Sequence, residues 1–110
     1  MRTLIQQDFA AAFAQVDVIV SPSTPITSVP IGTTFDRQPP LELVPRAIYN
    51  RMAVPANLAG IPAVSVPCGF VDKLPAGLQV MGPSLAEARV LRVARAYERA
   101  TRWHTVRPEL

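Results

Sequence analysis

One cysteine, one histidine and one tryptophan in 110 residues leave few ways of building a reactive site. Cys68 alone cannot close an internal disulfide, and no cysteine and histidine residues share metal-ligand spacing, so neither a covalent staple nor a zinc ion is expected to reinforce the fold. No cofactor motif is present, and the expected cofactor and metal complement is none. The chain also lacks an unbroken apolar helix. The uncharged stretch from Met52 to Val71 is long enough to span a bilayer, but Pro55, Pro62, Pro67, Gly60, Gly69 and Asn57 would break the internal hydrogen bonding that lipid demands. A signal peptide is equally unsupported, because Gln6, Gln7 and Asp8 come before any sufficient apolar run. The cytoplasm is the expected location.

What is abundant is apolar side chain. Hydrophobic residues make up 49% of the chain and mean hydropathy is +0.22, high for a length that allows one domain at most. Small domains expose proportionally more surface and should be more polar than this. The implied partner is protein that covers apolar faces left open by these residues. The formal charge of +3 and isoelectric point near 9.8 would suit a nucleic-acid ligand if the basic residues formed a platform. Arg89, Arg92, Arg95, Arg99 and Arg102 are instead interleaved with Glu87 and Glu98, the pattern of one solvated helix face without aromatics for base stacking. Nucleic acid is not an expected partner.

Along the chain the hydrophobic period changes between 3.6 and 2, which marks an α/β protein with mixed or antiparallel strands and flanking helices. Ile5, Phe9, Ala12, Phe13 and Val16 form one stripe, so Thr3 to Gln15 reads as an amphipathic helix with Thr3 and Gln6 placed for a capping box. Val18 to Val20 reads as a strand buried on both faces and stopped by Pro22. From Ile26 to Val44 closely spaced prolines predict an irregular loop, and Arg46 to Ala53 reads as two helical turns. Pro55, Pro62 and Pro67 argue against any helix from Val54 onward, and confine the next strand to Ala63 to Val66. That strand is expected at the centre of the fold. Val71 to Ala76 reads as a connection and Leu78 to Met81 as a third strand, near enough to pair antiparallel. Ser84 to Trp103 reads as a helix that opens on a Ser84–Glu87 capping box, buries Val90, Val93, Ala94 and Tyr97, and pairs Glu98 with Arg102.

Four blocks in order carry a family resemblance: VDVIVSPSTP, NLAGIPAVSVPCGF, LPAGLQVMGP and the helix LAEARVLRVARAYERATRW. Together they resemble the C-terminal part of the amidase signature enzymes, serine hydrolases of C–N amide bonds. The resemblance implies that residues 1–110 are the C-terminal segment of a single amidase signature domain, incomplete alone. It also implies a Ser-Ser-Lys relay in which a lysine accepts a proton through a bridging serine from a nucleophilic serine on a Gly/Ser-rich loop. No such loop exists in these residues. The small-molecule amide substrate and the missing N-terminal region therefore belong to a longer enzyme. Two other readings share part of this evidence: a non-catalytic module that binds another chain through apolar faces, and an A-subunit-like piece of a tRNA-dependent amidotransferase.

The reactive residue types that are present do not form a catalytic set. No glycine flanks Ser21 or Ser23 to make a nucleophile elbow or oxyanion nest. Lys73 stands beside Asp72 in a predicted loop, where it stays charged. His104 follows the last helix as a cap, and Cys68 reads as a buried small hydrophobe. No catalytic residue is assigned. The one candidate for substrate binding is Asn50, seven residues before Asn57, where members acting on amino acids resemble one another in carrying an acid.

Overall fold

A computed structural model describes residues 1–28 and 50–107. In chain order the elements are helix α1 (Arg2–Phe13), strand β1 (Ile19–Pro22), short helix α2 (Val54–Ala59), strands β2 (Ala63–Val71) and β3 (Leu74–Met81), helix α3 (Glu87–Ala100) and a 3-10 turn at Trp103–Thr105. The three strands form one antiparallel sheet in the order β1-β3-β2. Met81 stands opposite both Ile19 and Ala63, and Gln79 opposite both Ser21 and Ser65. The middle strand is thus β3, and the stretch expected at the centre forms an outer strand.

That order explains how the sheet tolerates its prolines. Proline cannot donate to a ladder on both sides, and Pro22 and Pro67 lie on outer strands. Pro75 lies on β3 beyond the reach of β1, where β2 is its one paired neighbour. β2 therefore does not stop at Val66 but runs to Val71, shifting register at a bulge between Pro67 and Gly69. The predicted six-residue connection shrinks to Asp72-Lys73, with φ of 50° and 68°. Two left-handed residues in a two-residue hairpin make a type I′ turn, whose twist matches that of the strands. β1 is not buried on both faces; its residues alternate between half-buried and exposed.

Helix α2 occupies residues expected to be non-helical. Pro55 falls in its first turn, where the missing N–H would have had no intrahelical partner. Gly60 closes α2 in the left-handed region at φ 71°. Arg2 Nε donates to Leu58 O at 2.9 Å and Gln6 Nε2 to Ala59 O at 3.0 Å, so α1 satisfies carbonyls that the end of α2 leaves free. Gln6 is used there and not in a capping box, which is absent from α1. No residue of α1 is buried.

Val66, Val80 and Met81 from the sheet, and Val90 and Ala94 from α3, are buried; Ala56 and Ala59 on α2 are buried as well. α3 starts later than its sequence pattern predicts. Leu85 adopts φ 62°, Ala86 is the N-cap, and no side chain caps the helix, so the expected Ser84–Glu87 box does not form. The residue that Glu98 pairs with is Arg95, at 3.9 Å, and not Arg102. His104 lies exposed in the 3-10 turn and not on the end of α3, while Trp103 beside it meets Phe70 edge-on at 6.3 Å. The predicted loop beyond residue 28 and the helical turns before Asn50 fall outside the described residues.

Candidate functional site

The period of the strands brings Ser21, Gln79 and Ser65 side by side on one face of the sheet, one from each strand. On the next rung stands Gly77, held by a hydrogen bond from Ser23 N to its carbonyl at 2.8 Å. A Cβ on Gly77 would lie 2.7 Å from Ser23 Oγ and 2.8 Å from Ser65 Oγ. Glycine leaves that space open, and the two hydroxyls hydrogen-bond to each other across β3. The result is a polar strip in a sheet whose sequence is otherwise apolar.

Gln79 is the buried polar residue among those described, with 6% of its surface exposed. Its side-chain amide donates to Met52 O at 3.0 Å and, at a longer 3.5 Å, to Ser21 Oγ. Ser21 in turn donates to Pro22 O at 3.2 Å. A buried amide needs partners, and the NH2 group of this one finds backbone 27 positions earlier in the chain. The segment that follows Asn50 is thereby tied to the middle of the sheet.

Toward the hairpin lies an apolar groove of about 700 Å³, lined by Val20, Pro22, Ile26, Cys68, Val71 and Leu78 among others. Cys68 is half-buried on its wall and not in the core. Val20 and Val71 are about half exposed, at 55% and 53%. Apolar faces are therefore open on the molecule, as the composition implies.

The candidate residues are scattered. Lys73 is exposed in the hairpin turn, and with His104 and Arg107 it lines a separate groove of about 830 Å³ beside Phe70 and Trp103. No hydrogen bond joins Ser21, Ser23 or Ser65 to a lysine or histidine among the described residues. Asn50 is exposed, and its carbonyl accepts the Ala53 N–H at 3.1 Å, closing a turn just before α2. Gln79 and Gly77 carry the polar strip but were not singled out from sequence. The usable signal was a glutamine at the middle of the Leu78 to Met81 run, a polar residue whose partners only the folded chain supplies. Among the described residues no group of histidine, cysteine and carboxylate side chains could hold a metal ion, and no helix is long and apolar enough to cross a membrane.

The sequence model of the family described as Amidase matches residues 1–91. The A-subunit of a glutamyl-tRNA(Gln) amidotransferase from Synechococcus sp. (strain JA-2-3B'a(2-13)) is 51% identical over 110 residues, covering 100% of this chain and 20% of the relative. The crystal structure of the corresponding glutamyl-tRNA(Gln) amidotransferase A-subunit of Thermotoga maritima superimposes with a TM-score of 0.81 at 39% identity, over 92% of this chain and 21% of that one. A bacterial aryl acylamidase of the amidase signature family gives a TM-score of 0.74 at 30% identity, over 94% and 22% of the two chains. The chain spans about a fifth of the length of the relatives it matches.

Proposed function

This chain belongs to the amidase family, and from that premise we propose that residues 1–110 are the C-terminal segment of one amidase signature domain that is incomplete without the rest. In that reading the full chain hydrolyses a C–N amide bond, and this segment supplies sheet, covering helix and one wall of the amide pocket. The observation that carries it is a match over the full length of this chain to one fifth of a much longer relative. The open apolar groove and the absence of any serine with a base beside it among the described residues fit a segment that lends surface while nucleophile and base lie elsewhere. The missing N-terminal region is then the partner that covers these faces, and the location is cytoplasmic.

Asn50 decides the substrate class within this proposal. A carboxylate at that position could pair with the ammonium group of an amino-acid substrate, a charge-assisted contact worth roughly 1.5–3 kcal/mol. An asparagine offers a donor and an acceptor but no charge, which suits a neutral amide. The side chain is exposed in this segment, so it is free to face a pocket completed by other residues. A second reading, in which the parent is the A-subunit of an amidotransferase acting on glutamine, is favoured by the 51% identity.

Kinetics on a full-length chain carrying this segment separate the two. Wild type is expected to prefer an uncharged aliphatic or aromatic amide over glutamine. Asn50→Asp is expected to move the kcat/KM ratio toward glutamine by about 10- to 150-fold, the equivalent of that contact energy. A wild type that already prefers glutamine, or a ratio that the substitution leaves unchanged, refutes the role given to Asn50.

A further inference from the structure

We propose that Gln79 is a positioning residue for the pocket wall, a latch that sets where the Asn50–Ala53 turn stands against the sheet; this rests on the proposed role of Asn50. Among the described residues the turn has one backbone bond of its own, Ala53 N to Asn50 O at 3.1 Å, and passes into α2 through Asn57 N to Ala53 O at 3.2 Å; Asn50 and Arg51 are exposed, while Met52 and Ala53 are half-buried. Its exposed half, Asn50 and Arg51, gains little from packing among the described residues. From the sheet the turn is reached by the side chain of Gln79, which donates to Met52 O at 3.0 Å. Gln79 is suited to this because β3 is the middle strand, held on both sides, and because the residue is buried. Ser21 takes the same amide group from the β1 side and limits its rotation.

A leucine or methionine in place of Gln79 would serve the core equally well as bulk, but would leave the Met52 carbonyl without its donor. The glutamine therefore orders the turn where an apolar residue could not. Any side chain that Asn50 presents to a substrate is displaced when the latch is removed, because only one residue separates it from Met52.

The test is Gln79→Met in a full-length chain carrying this segment, measured by amide exchange and by steady-state kinetics. Exchange in the turn, residues 51–53, is expected to rise about tenfold or more while the amides of Val64, Val66 and Val80 keep their protection. KM for the neutral amide is expected to rise severalfold with kcat nearly retained, and the effect is expected to vanish in an Asn50→Ala background, since both variants act on one contact. If the turn exchanges as in wild type, or if it loosens while KM is unmoved, the latch is wrong. In the second case Asn50→Asp distinguishes the causes. A shifted substrate preference there leaves the pocket wall standing and removes Gln79 alone, whereas no shift removes both. Should Gln79→Met fail to fold, Gln79→Asn keeps the amide but shortens its reach, and is read by the same two measurements.

Discussion

Adding one methyl group at Gly82 should loosen α3 from the sheet. Gly82 follows β3 directly, and a Cβ there would stand 2.5 Å from Val90 Cγ2, about 1 Å inside the ~3.5–4.0 Å at which carbon atoms attract. Two effects oppose each other. Gly82 does not have a left-handed φ, so alanine meets no backbone strain and stabilises by about 0.4–1 kcal/mol through the unfolded chain. Against this, Val90 is 2% exposed and β-branched on a helix, so it has no rotamer into which to retreat. Forcing a methyl into such a contact costs about 1–3 kcal/mol. The steric cost outweighs the entropic gain, leaving Gly82→Ala destabilising by about 1–2 kcal/mol, which amounts to a 5- to 30-fold faster exchange of the α3 amides in a full-length chain. Val90→Ala removes the methyl that clashes, so in that background Gly82→Ala should be neutral or stabilising. An equal penalty in both backgrounds, or none in the wild type, would show that the Gly82–Val90 contact is not what holds α3 to the sheet.

Two further outcomes are expected. Lys73→Gly should strengthen the hairpin by about 1 kcal/mol, because Lys73 holds φ 68° in a turn position that costs a side-chain-bearing residue roughly 1–2 kcal/mol; slower exchange of amides in β2 and β3 is the readout, and unchanged or faster exchange counts against the turn assignment. The isolated 110-residue chain should hydrolyse no simple amide, since no nucleophile with a base in reach is found among the described residues. Turnover that survives rigorous purification and is lost in Ser21→Ala or Ser65→Ala would overturn this, and activity restored by mixing with an upstream fragment would identify half of a split enzyme.

Hydrophobic period and motif order are local properties, and for that reason the α/β class, the family and the existence of five of the elements are legible in the sequence. Ile5, Phe9 and Phe13 at helical spacing could only be one face of a helix, and Leu78 to Met81 only a strand. Open apolar surface was legible too, since composition is set before folding. Boundaries at proline were misplaced. Whether Pro67 and Pro75 end a strand depends on whether a neighbouring strand needs their missing N–H, and that follows from the order β1-β3-β2, a property of the folded sheet. Pro55 reads as a breaker in the sequence and is a helix starter in the fold, because the two roles differ only in which turn the residue occupies. The Ser84–Glu87 motif failed as a cap because Leu85 takes a left-handed turn between its two members. Of the candidate site, Asn50 is singled out by the family resemblance, and its role stays a proposal. Gln79 is not, because a buried amide acquires its meaning from its partners, and Met52 and Ser21 reach it only when the tertiary structure has brought distant parts of the chain together.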